Sequence, residues 1–253
     1  MPATTDRARQ YADLGFLSGI DIFSPDEIGG FRHHFDRFDH EMGTGRPQAD
    51  NRQRHLDQPF VWRMASDPRI VSLMQELMGP DILLLGSDFF CKYPEPQATA
   101  FIAWHQDVTY WGLEPPVAHT VWIAVDDCDL ANGCMRVIPG SHRNGMLTHG
   151  KSQRTGNMLS VNQAVPDDLV RSADAVDLVL KAGQVSVHEG HLLHASLPNR
   201  SQQRRCGLAV RCVPTHVRQA KSNSLGINWP TMLLAGQDRF GHFVLQPPPA
   251  GQN

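Results

Sequence analysis

The sequence lacks the features that mark several large classes of protein. Its 253 residues contain no apolar run near the roughly 18 residues that a membrane span requires. The first residues have no apolar core of the kind found in signal peptides, so we expect a cytoplasmic protein without a membrane partner. Basic residues are not in excess, with 23 Lys and Arg against 26 Asp and Glu. Nucleic acid is therefore not an expected partner.

Cysteine is scarce and unpaired in sequence. The chain has five cysteines, an odd number, and none of them forms a C-x-x-C pair. This pattern indicates reduced, buried thiols rather than a disulfide framework or a zinc knuckle. Apolar residues make up 41% of the chain and charged residues 19%, a globular balance. Histidine, by contrast, is abundant, with 13 copies, and the question is which of them form a site.

Helix signals are concentrated near the start of the chain. Ser24, Pro25 and Glu27 form an N-cap, a proline in the first turn and a capping box, and an apolar stripe with spacings of three and four follows. A second helix is expected from Asp67 to the Gly79-Pro80 stop.

After Asp81 the pattern changes to short segments rich in β-branched and aromatic residues, separated by Gly and Pro turns. The expected strands are 82–92, 101–107, 119–126, 134–138, 176–180, 184–188 and 205–213. Many short strands with few helices between them predict a mainly β fold, a sandwich or jelly roll. We expect one domain over 1–253: helical support over about 21–80, a core over about 81–215 with an inserted loop at 144–173, and a C-terminal extension at 216–253.

The strongest candidate for a site is an H-x-D motif. His105 and Asp107 are two residues apart, so on a strand they face the same side. His194 can join them from another strand. Two imidazoles and one carboxylate that leave coordination positions open are the ligand set of non-haem Fe(II) oxygenases. The tripeptide alone favours a histidine and an aspartate that solvate a strand end, and the arginine cluster that follows His194 changes this balance.

A cluster of arginines follows His194 in the sequence. An oxygenase with a dicarboxylic co-substrate needs a cation for the far carboxylate, and the forked, permanently charged guanidinium suits that task. On the predicted strand 205–213, alternation places Arg205 on a face with small neighbours, which leaves room for a ligand. Arg204 points to the other side, so we expect it to be dispensable for co-substrate binding.

Three motifs in order resemble the phytanoyl-CoA dioxygenase family. They are H-Q-D at 105–107, N-G-C-M-R-V-I-P-G-S-H at 132–142, and H-A-S-x-x-N-R-S from His194, followed by Arg205. The resemblance covers roughly residues 67–215. It implies a double-stranded β-helix (a cupin-like jelly roll) with N-terminal supporting helices, and it implies that Fe(II), 2-oxoglutarate and O2 are used.

The resemblance also assigns residue roles. It implies that His105, Asp107 and His194 are the iron ligands. Arg205 would clamp the 2-oxoglutarate carboxylate with help from the Ser196 hydroxyl. Trp122 and Asp88 match family positions that line the co-substrate pocket, although the usual side chain at the second position differs.

Several nearby residues keep two interpretations. His191 should not share the face of the distal ligand, which favours a surface or supporting role. His188 is either core or pocket wall, and Lys92 is either a solvated strand end or a pocket cation. Arg211 binds either an anionic substrate group or an internal carboxylate. Segment 108–116 is either a lid over the substrate or an ordered crossover.

The expected activity is hydroxylation, or another oxidation, of a C–H bond in a small metabolite of natural-product or specialised metabolism, with release of succinate and CO2. Because Asp107 keeps the carboxylate that related halogenases replace with a small residue, halogenation is not expected. The alternatives are a non-catalytic cupin-like binder and a zinc-dependent hydrolase that uses the same pocket. The fold does not choose the substrate.

Overall fold

A computed structural model describes residues 5–43, 48–94, 97, 99–220 and 228–250, with the side chains of 48, 49 and Tyr110 outside the described part. Four α-helices precede most of the strands: α1 (Asp6–Leu14), α2 (Pro25–Met42), α3 (Pro59–Ala65) and α4 (Pro68–Met78). Among the described residues, no helix combines the length and the apolar character needed to cross a membrane.

The two helices expected from the sequence are confirmed. The Ser24 side chain accepts a hydrogen bond from the Glu27 backbone N–H, and the Glu27 carboxylate accepts one from the Ser24 backbone N–H, so a capping box starts α2. The Asp67 side chain caps α4, which ends before Gly79. Helices α1 and α3 were not predicted, because both are short.

The strands form two facing sheets and two small ribbons, and all pairs are antiparallel. The strands are β1 (Phe16–Asp21), β2 (Ile82–Lys92), β3 (Ile102–His105), β4 (Leu113–Glu114), β5 (His119–Ala124), β6 (Met135–Val137), β7 (Gly150–Lys151), β8 (Gln163–Ala164), β9 (Val176–Leu178), β10 (Gln184–Glu189), β11 (His194–Ser196), β12 (Arg205–Pro214), β13 (Arg218–Gln219) and β14 (Met232–Ala235). The larger sheet has the order β1-β10-β5-β12-β2-β14, and the smaller sheet has the order β3-β11-β6-β9.

Side-chain alternation gives the larger sheet two different faces. One face packs on the helices in the main apolar cluster, with Phe89 of β2, Val121 of β5 and Leu208 of β12 among its members. The other face turns toward the smaller sheet and carries polar residues, including Arg205 and His188. The predicted mainly β jelly roll with supporting N-terminal helices is confirmed, and this inner face is where the site lies.

Two strands of the larger sheet lie outside the predicted core of 81–215. Strand β1 pairs with β10, and β14 pairs with β2 at the opposite edge. Their sequences gave weak signals, because β1 contains Gly19 with a positive φ of 73° and β14 has only four residues. The predicted inserted loop at 144–173 carries the β7–β8 ribbon and several single helical turns.

Two buried histidines make stability depend on pH. Burial lowers the pKa of His119 to about 4, and burial together with the charge of Arg211 lowers the pKa of His55 to about 4. The unfolded chain, whose imidazoles titrate near ~6.5, therefore takes up protons first as the pH falls. The stabilisation is complete above about pH 6.5 and is lost toward pH 4.

We expect the free energy of unfolding in urea to be about 2 kcal/mol or more lower at pH 5 than at pH 7. His119→Gln should reduce this difference, because it removes one of the buried groups that must stay neutral. His33→Gln, at an exposed position, should leave it unchanged. Equal stability of the parent protein at the two pH values would contradict this account.

Candidate metal centre and co-substrate cavity

The pairing of β3 with β11 brings two distant histidines together. His194 lies opposite His105 in the antiparallel register, and the centroids of their rings are 4.0 Å apart. His105 Nδ1 lies 2.9 Å from the Ala103 carbonyl oxygen, and His194 Nδ1 lies 3.0 Å from that of Leu192. Because the carbonyls accept hydrogen bonds at Nδ1, both imidazoles present Nε2 to the interior.

Asp107 reaches this point by a different route from the one expected. The strand predicted over 101–107 ends at His105, and Asp107 begins a single turn, Asp107–Tyr110, of 3-10 geometry. The expectation that strand alternation aligns the two side chains is therefore wrong. The chain turns because Gln106 is fixed between the loops, where its amide donates to the carbonyls of Gly145 and His191.

The three predicted ligands nevertheless converge. One potential ligand atom from each of His105, Asp107 and His194 lies within 4.8 Å of the other two. Asp107 Oδ1 is 3.5 Å from His105 Nε2 and 3.8 Å from His194 Nε2. All three residues are buried. Two nitrogens and one oxygen grouped on one side of a point suit a divalent metal with open positions opposite them.

The second oxygen of Asp107 is held by residues that the sequence did not identify as partners. Thr120 Oγ1 donates to Asp107 Oδ2 at 2.8 Å, and His188 Nε2 lies 3.4 Å from the same oxygen. The ring of His188 also lies 4.4 Å from that of His194, centroid to centroid. His188 therefore belongs to the wall of the site and positions the carboxylate. Both residues lie on the inner face of the larger sheet, and only the packing of the two sheets reveals their role.

Electrostatics favour the protonation state that a metal requires. Burial by itself raises the pKa of the Asp107 carboxyl, but hydrogen bonds with His105 and His188 and the nearby imidazoles hold that pKa well below its usual range. Burial, followed by the charges of His105 and His188, lowers the pKa of His194. At neutral pH the site thus offers a carboxylate and a neutral imidazole, which are the forms that bind metals.

A cavity of about 50 Å³ lies beside the three ligands, and Arg205 is at its wall. Arg205 is 1% exposed; its Nη2 lies 3.3 Å from Ser196 Oγ, and its Cζ lies 5.2 Å from the centroid of the Trp122 ring. Its Nε is buried without a hydrogen-bond partner. A buried guanidinium without a carboxylate partner among the described residues fits an anionic ligand.

Lys92 lies next to this arginine and is not a solvated strand end. Its Nζ donates to Ser196 Oγ at 2.6 Å and to the carbonyl of Leu197, and it is 3.5 Å from the carbonyl oxygen of Gly133. Burial, and then the charge of Arg205, lowers the pKa of Lys92 to about 5. Because Lys92 donates to Ser196, the serine hydroxyl is left to donate its own proton into the cavity.

Asp88 and Arg211 line a second, larger cavity of about 280 Å³, which shares His105, Asp107 and Arg211 with the smaller one. Arg211 Nη1 donates to Asp88 Oδ2 at 2.8 Å, so the interpretation of Arg211 as half of an internal ion pair is supported. Asp88 does not line the cavity that contains Arg205. Its carboxylate is engaged by Arg211, and the co-substrate role that the resemblance implies for Asp88 stays a prediction.

The structure also shows where His191 and segment 108–116 lie, each of which had two interpretations. His191 Nδ1 lies 3.0 Å from Glu189 Oε1, and His191 lines neither cavity. Segment 108–116 is an ordered crossover. Its Trp111 is buried against Trp229, whose indole nitrogen donates to the Trp111 carbonyl at 3.1 Å, and its strand β4 pairs with β13. Trp111 lines the larger cavity.

The inner face of β12, which was predicted to carry small residues, packs against the indole ring of Trp122. A Cβ placed on Gly207 would overlap the ring of Trp122, which itself lines the smaller cavity. We expect Gly207→Ala to cost about 1–3 kcal/mol of stability by overpacking, and to weaken 2-oxoglutarate binding as Trp122 shifts. Chemical denaturation and calorimetric titration measure the two effects.

Gly29→Ala is the matched control for that substitution. Gly29 lies in α2 with open space around its Cα, so alanine should stabilise the protein by about 0.5–1 kcal/mol and leave the titration unchanged. A Gly207→Ala protein with unchanged stability would show that Trp122 does not depend on this close approach.

A jelly roll that holds two imidazoles and a carboxylate between its sheets, beside a buried arginine, defines a class of protein: the non-haem iron oxygenases. The model of the family described as phytanoyl-CoA dioxygenase matches residues 14–207. The chain belongs to that family. The predicted enzyme class, a 2-oxoglutarate-dependent non-haem iron dioxygenase that uses Fe(II), 2-oxoglutarate and O2, is thereby confirmed.

The individual relatives within the family share only about a quarter to a third of their aligned residues with this chain. A phytanoyl-CoA dioxygenase of Arabidopsis thaliana is 30% identical over 132 residues, which are 52% of this chain and 45% of that protein. A probable alpha-ketoglutarate-dependent hypophosphite dioxygenase of Stutzerimonas stutzeri is 25% identical over 225 residues, 81% of this chain and 77% of that protein. This chain thus spans only about half the length of the Arabidopsis thaliana protein and of a phytanoyl-CoA dioxygenase from rice.

Among solved structures, the non-heme monooxygenase ThoJ in its apo form superimposes with a TM-score of 0.79 at 28% sequence identity. The match covers 98% of this chain and 90% of that one. This similarity extends over nearly the whole fold, including the N-terminal helices.

Proposed function

We propose that the protein oxidises a C–H bond of a small metabolite, by hydroxylation or a related reaction, with release of succinate and CO2. In this proposal His105, Asp107 and His194 bind Fe(II), and Arg205 and Ser196 bind the distal carboxylate of 2-oxoglutarate. The observation that carries the proposal is the convergence of the three ligand atoms within 4.8 Å beside a cavity walled by a buried arginine.

Bound Fe(II), together with O2 and 2-oxoglutarate, supplies the oxidising chemistry. The chain's own residues bind and orient. Carbonyl groups on β3 and next to β11 fix the two imidazoles, and Thr120 with His188 fixes the carboxylate of Asp107. Such partners behind metal ligands set ligand orientation and basicity.

The smaller cavity supplies the binding energy for the co-substrate. Arg205 contributes the charge, Ser196 contributes a hydroxyl that Lys92 leaves free to donate, and the Trp122 ring forms a flat wall. The site is buried, so these contacts act in a medium of low polarity, where a charged hydrogen bond is stronger than in water. A zinc hydrolase or a non-catalytic binder would not need an arginine, a serine hydroxyl and an aromatic wall arranged for a dicarboxylic co-substrate.

Anaerobic titration with Fe(II) and 2-oxoglutarate tests the proposal. The expected result is saturable binding of 2-oxoglutarate, a weak visible charge-transfer band from the chelate, and succinate formation when O2 is admitted. If zinc replaces iron fully in a hydrolytic assay and no band or succinate is seen, the hydrolase alternative replaces the oxygenase. Metal-independent retention of a ligand would favour the passive binder.

Because Asp107 keeps its carboxylate, the proposed reaction is hydroxylation rather than halogenation. Turnover in the presence of chloride or bromide should yield no halogenated product from the unmodified protein. The choice of substrate, and a cytoplasmic location, stay predictions of the sequence. A panel of small metabolites, scored by the stimulation of succinate release, addresses the substrate directly.

A further inference from the structure

One positively charged side chain in the larger cavity has no acidic partner within that cavity. Its basic residues are Arg52 and Arg211, and its acidic residues are Asp88 and Asp107. Asp107 belongs to the proposed metal centre, and Asp88 is paired with Arg211 at 2.8 Å. Among the described residues, no carboxylate pairs with Arg52, so its guanidinium charge remains available in the cavity.

Arg52 is held at this position by its neighbours on β2. Its backbone forms an isolated antiparallel bridge with Asp88. The next residue, Gln53, donates its backbone N–H to the carbonyl of Ser87 at 2.6 Å. His55 Nδ1 lies 2.8 Å from the Ser87 hydroxyl oxygen. These contacts anchor the segment to the larger sheet, so the side chain of Arg52 starts from a fixed point at the cavity wall.

Arg211 adds to the same positive wall. Its side chain is 9% exposed, and its Nε is buried without a hydrogen-bond partner, so the ion pair with Asp88 uses only part of its donor capacity. Its Cζ lies 5.2 Å from the centroid of the Trp111 ring, which keeps the guanidinium plane against an aromatic surface.

The rest of the cavity wall is largely apolar and aromatic. Phe90, Trp111, Met158, Leu159 and Trp229 line it, and His105 and Asp107 form the end nearest the metal centre. A ligand that fills it therefore needs an apolar body near the oxidising centre. Its charged group belongs with the two arginines.

We propose that the primary substrate is an organic anion, a small carboxylate-class molecule with an apolar or aromatic body whose anionic group binds Arg52 beside Arg211. This inference rests on the proposed function, since it names the substrate class of the same site. The two proposed carboxylate subsites lie in adjoining cavities: Arg205 lines only the smaller cavity, Arg52 lines only the larger one, and Arg211 lines both.

Matched pairs of probes test the inference by binding rather than by turnover. The protein is kept anaerobic and saturated with Fe(II) and 2-oxoglutarate, so that the Arg205 subsite is filled. Phenylacetate, 3-phenylpropanoate and indole-3-acetate are then titrated calorimetrically, each beside its primary amide. At least one carboxylate should bind about 10-fold or more tightly than its amide, since a charged hydrogen bond contributes roughly 1.5–3 kcal/mol.

Variants separate Arg52 from nonspecific charge effects. Arg52→Gln should reduce the preference for carboxylate over amide to about threefold or less, and Arg52→Glu should reverse it in favour of 3-phenylpropylamine. Arg63→Gln is the matched control. Arg63 is exposed on α3 and lines neither cavity, so its loss should leave every ratio unchanged.

The outcomes are decisive in both directions. Equal affinity for carboxylate and amide, no binding by any carboxylate, or equal effects of Arg52→Gln and Arg63→Gln would each overturn the inference. The titration of 2-oxoglutarate, performed first, reports on the proposed function separately. If 2-oxoglutarate does not bind, the carboxylate and amide comparison is repeated on the protein without metal, where the arginines are still present.

Discussion

His194→Ala should reduce the affinity for Fe(II) by about 100-fold or more and abolish substrate-dependent succinate release. Removing a partner behind a metal ligand costs roughly 10- to 100-fold in metal affinity, and loss of a ligand itself costs more. His194 is buried and supplies one of the three converging atoms, and an alanine side chain offers no atom that can bind a metal in its place. Iron content after anaerobic reconstitution, together with a competition titration, measures the effect.

Two control variants make this prediction specific. Thr120→Val keeps the shape of the side chain but removes the 2.8 Å hydrogen bond to Asp107 Oδ2, so a smaller loss of about 10- to 100-fold is expected. His191 lies three residues from His194, but its side chain contacts Glu189 and not the metal centre. The His191→Gln variant should therefore bind iron normally. Parent-like iron binding by His194→Ala, or equal losses in all three variants, would remove His194 from the metal centre.

Arg205→Ala should weaken 2-oxoglutarate binding by about 30- to 1,000-fold. The arginine is 1% exposed, and truncating one partner of a buried charge pair costs about 2–4 kcal/mol. Calorimetric titration of the anaerobic Fe(II) protein gives the dissociation constant. Arg205→Lys should recover part of the loss, because it restores the charge but not the two-pronged geometry.

Arg204→Ala is the neighbouring control. Arg204 points to the outer side, where its Nε lies 2.8 Å from Asp126 and its Nη1 lies 2.6 Å from Asp36. Its loss should lower the thermal stability and leave the 2-oxoglutarate affinity within about threefold of the parent value. Similar affinity losses at the two positions would contradict the assignment of faces on β12.

The predictability of the site differed between its parts. The resemblance implied Arg205, and alternation along β12 agreed, because the period of two holds from Arg205 to Arg211 before the register shift at Cys212. Asp107 was identified correctly as a member of the converging group, but by an incorrect route, because its strand ends two residues earlier than the pattern indicates. A local pattern does not show where β3 ends, because contacts between Gln106 and distant loops hold the chain in the turn that follows the strand.

Thr120 and His188 illustrate what a one-dimensional pattern leaves out. Both belong to strands that were predicted, and their inward orientation follows from alternation. Their contact with Asp107 depends on the pairing of β10 with β5 and on the distance between the two sheets. Asp88 shows the same limit, since no sequence pattern indicates that its carboxylate pairs with Arg211 on the neighbouring strand.

Residue order alone predicted a mainly β fold and its two principal helices, because caps and strand alternation are written locally along the chain. It predicted the His105, Asp107, His194 and Arg205 set through separated motifs that resemble a known family. Three-dimensional packing alone assigned Lys92 to the Ser196 hydroxyl and Asp88 to Arg211, and it placed Arg205 and Arg52 in two adjoining cavities beside the ligands. The reason is physical. The energies that fix those contacts act between side chains on different strands, at distances set by sheet pairing and burial, and no spacing within the sequence encodes them.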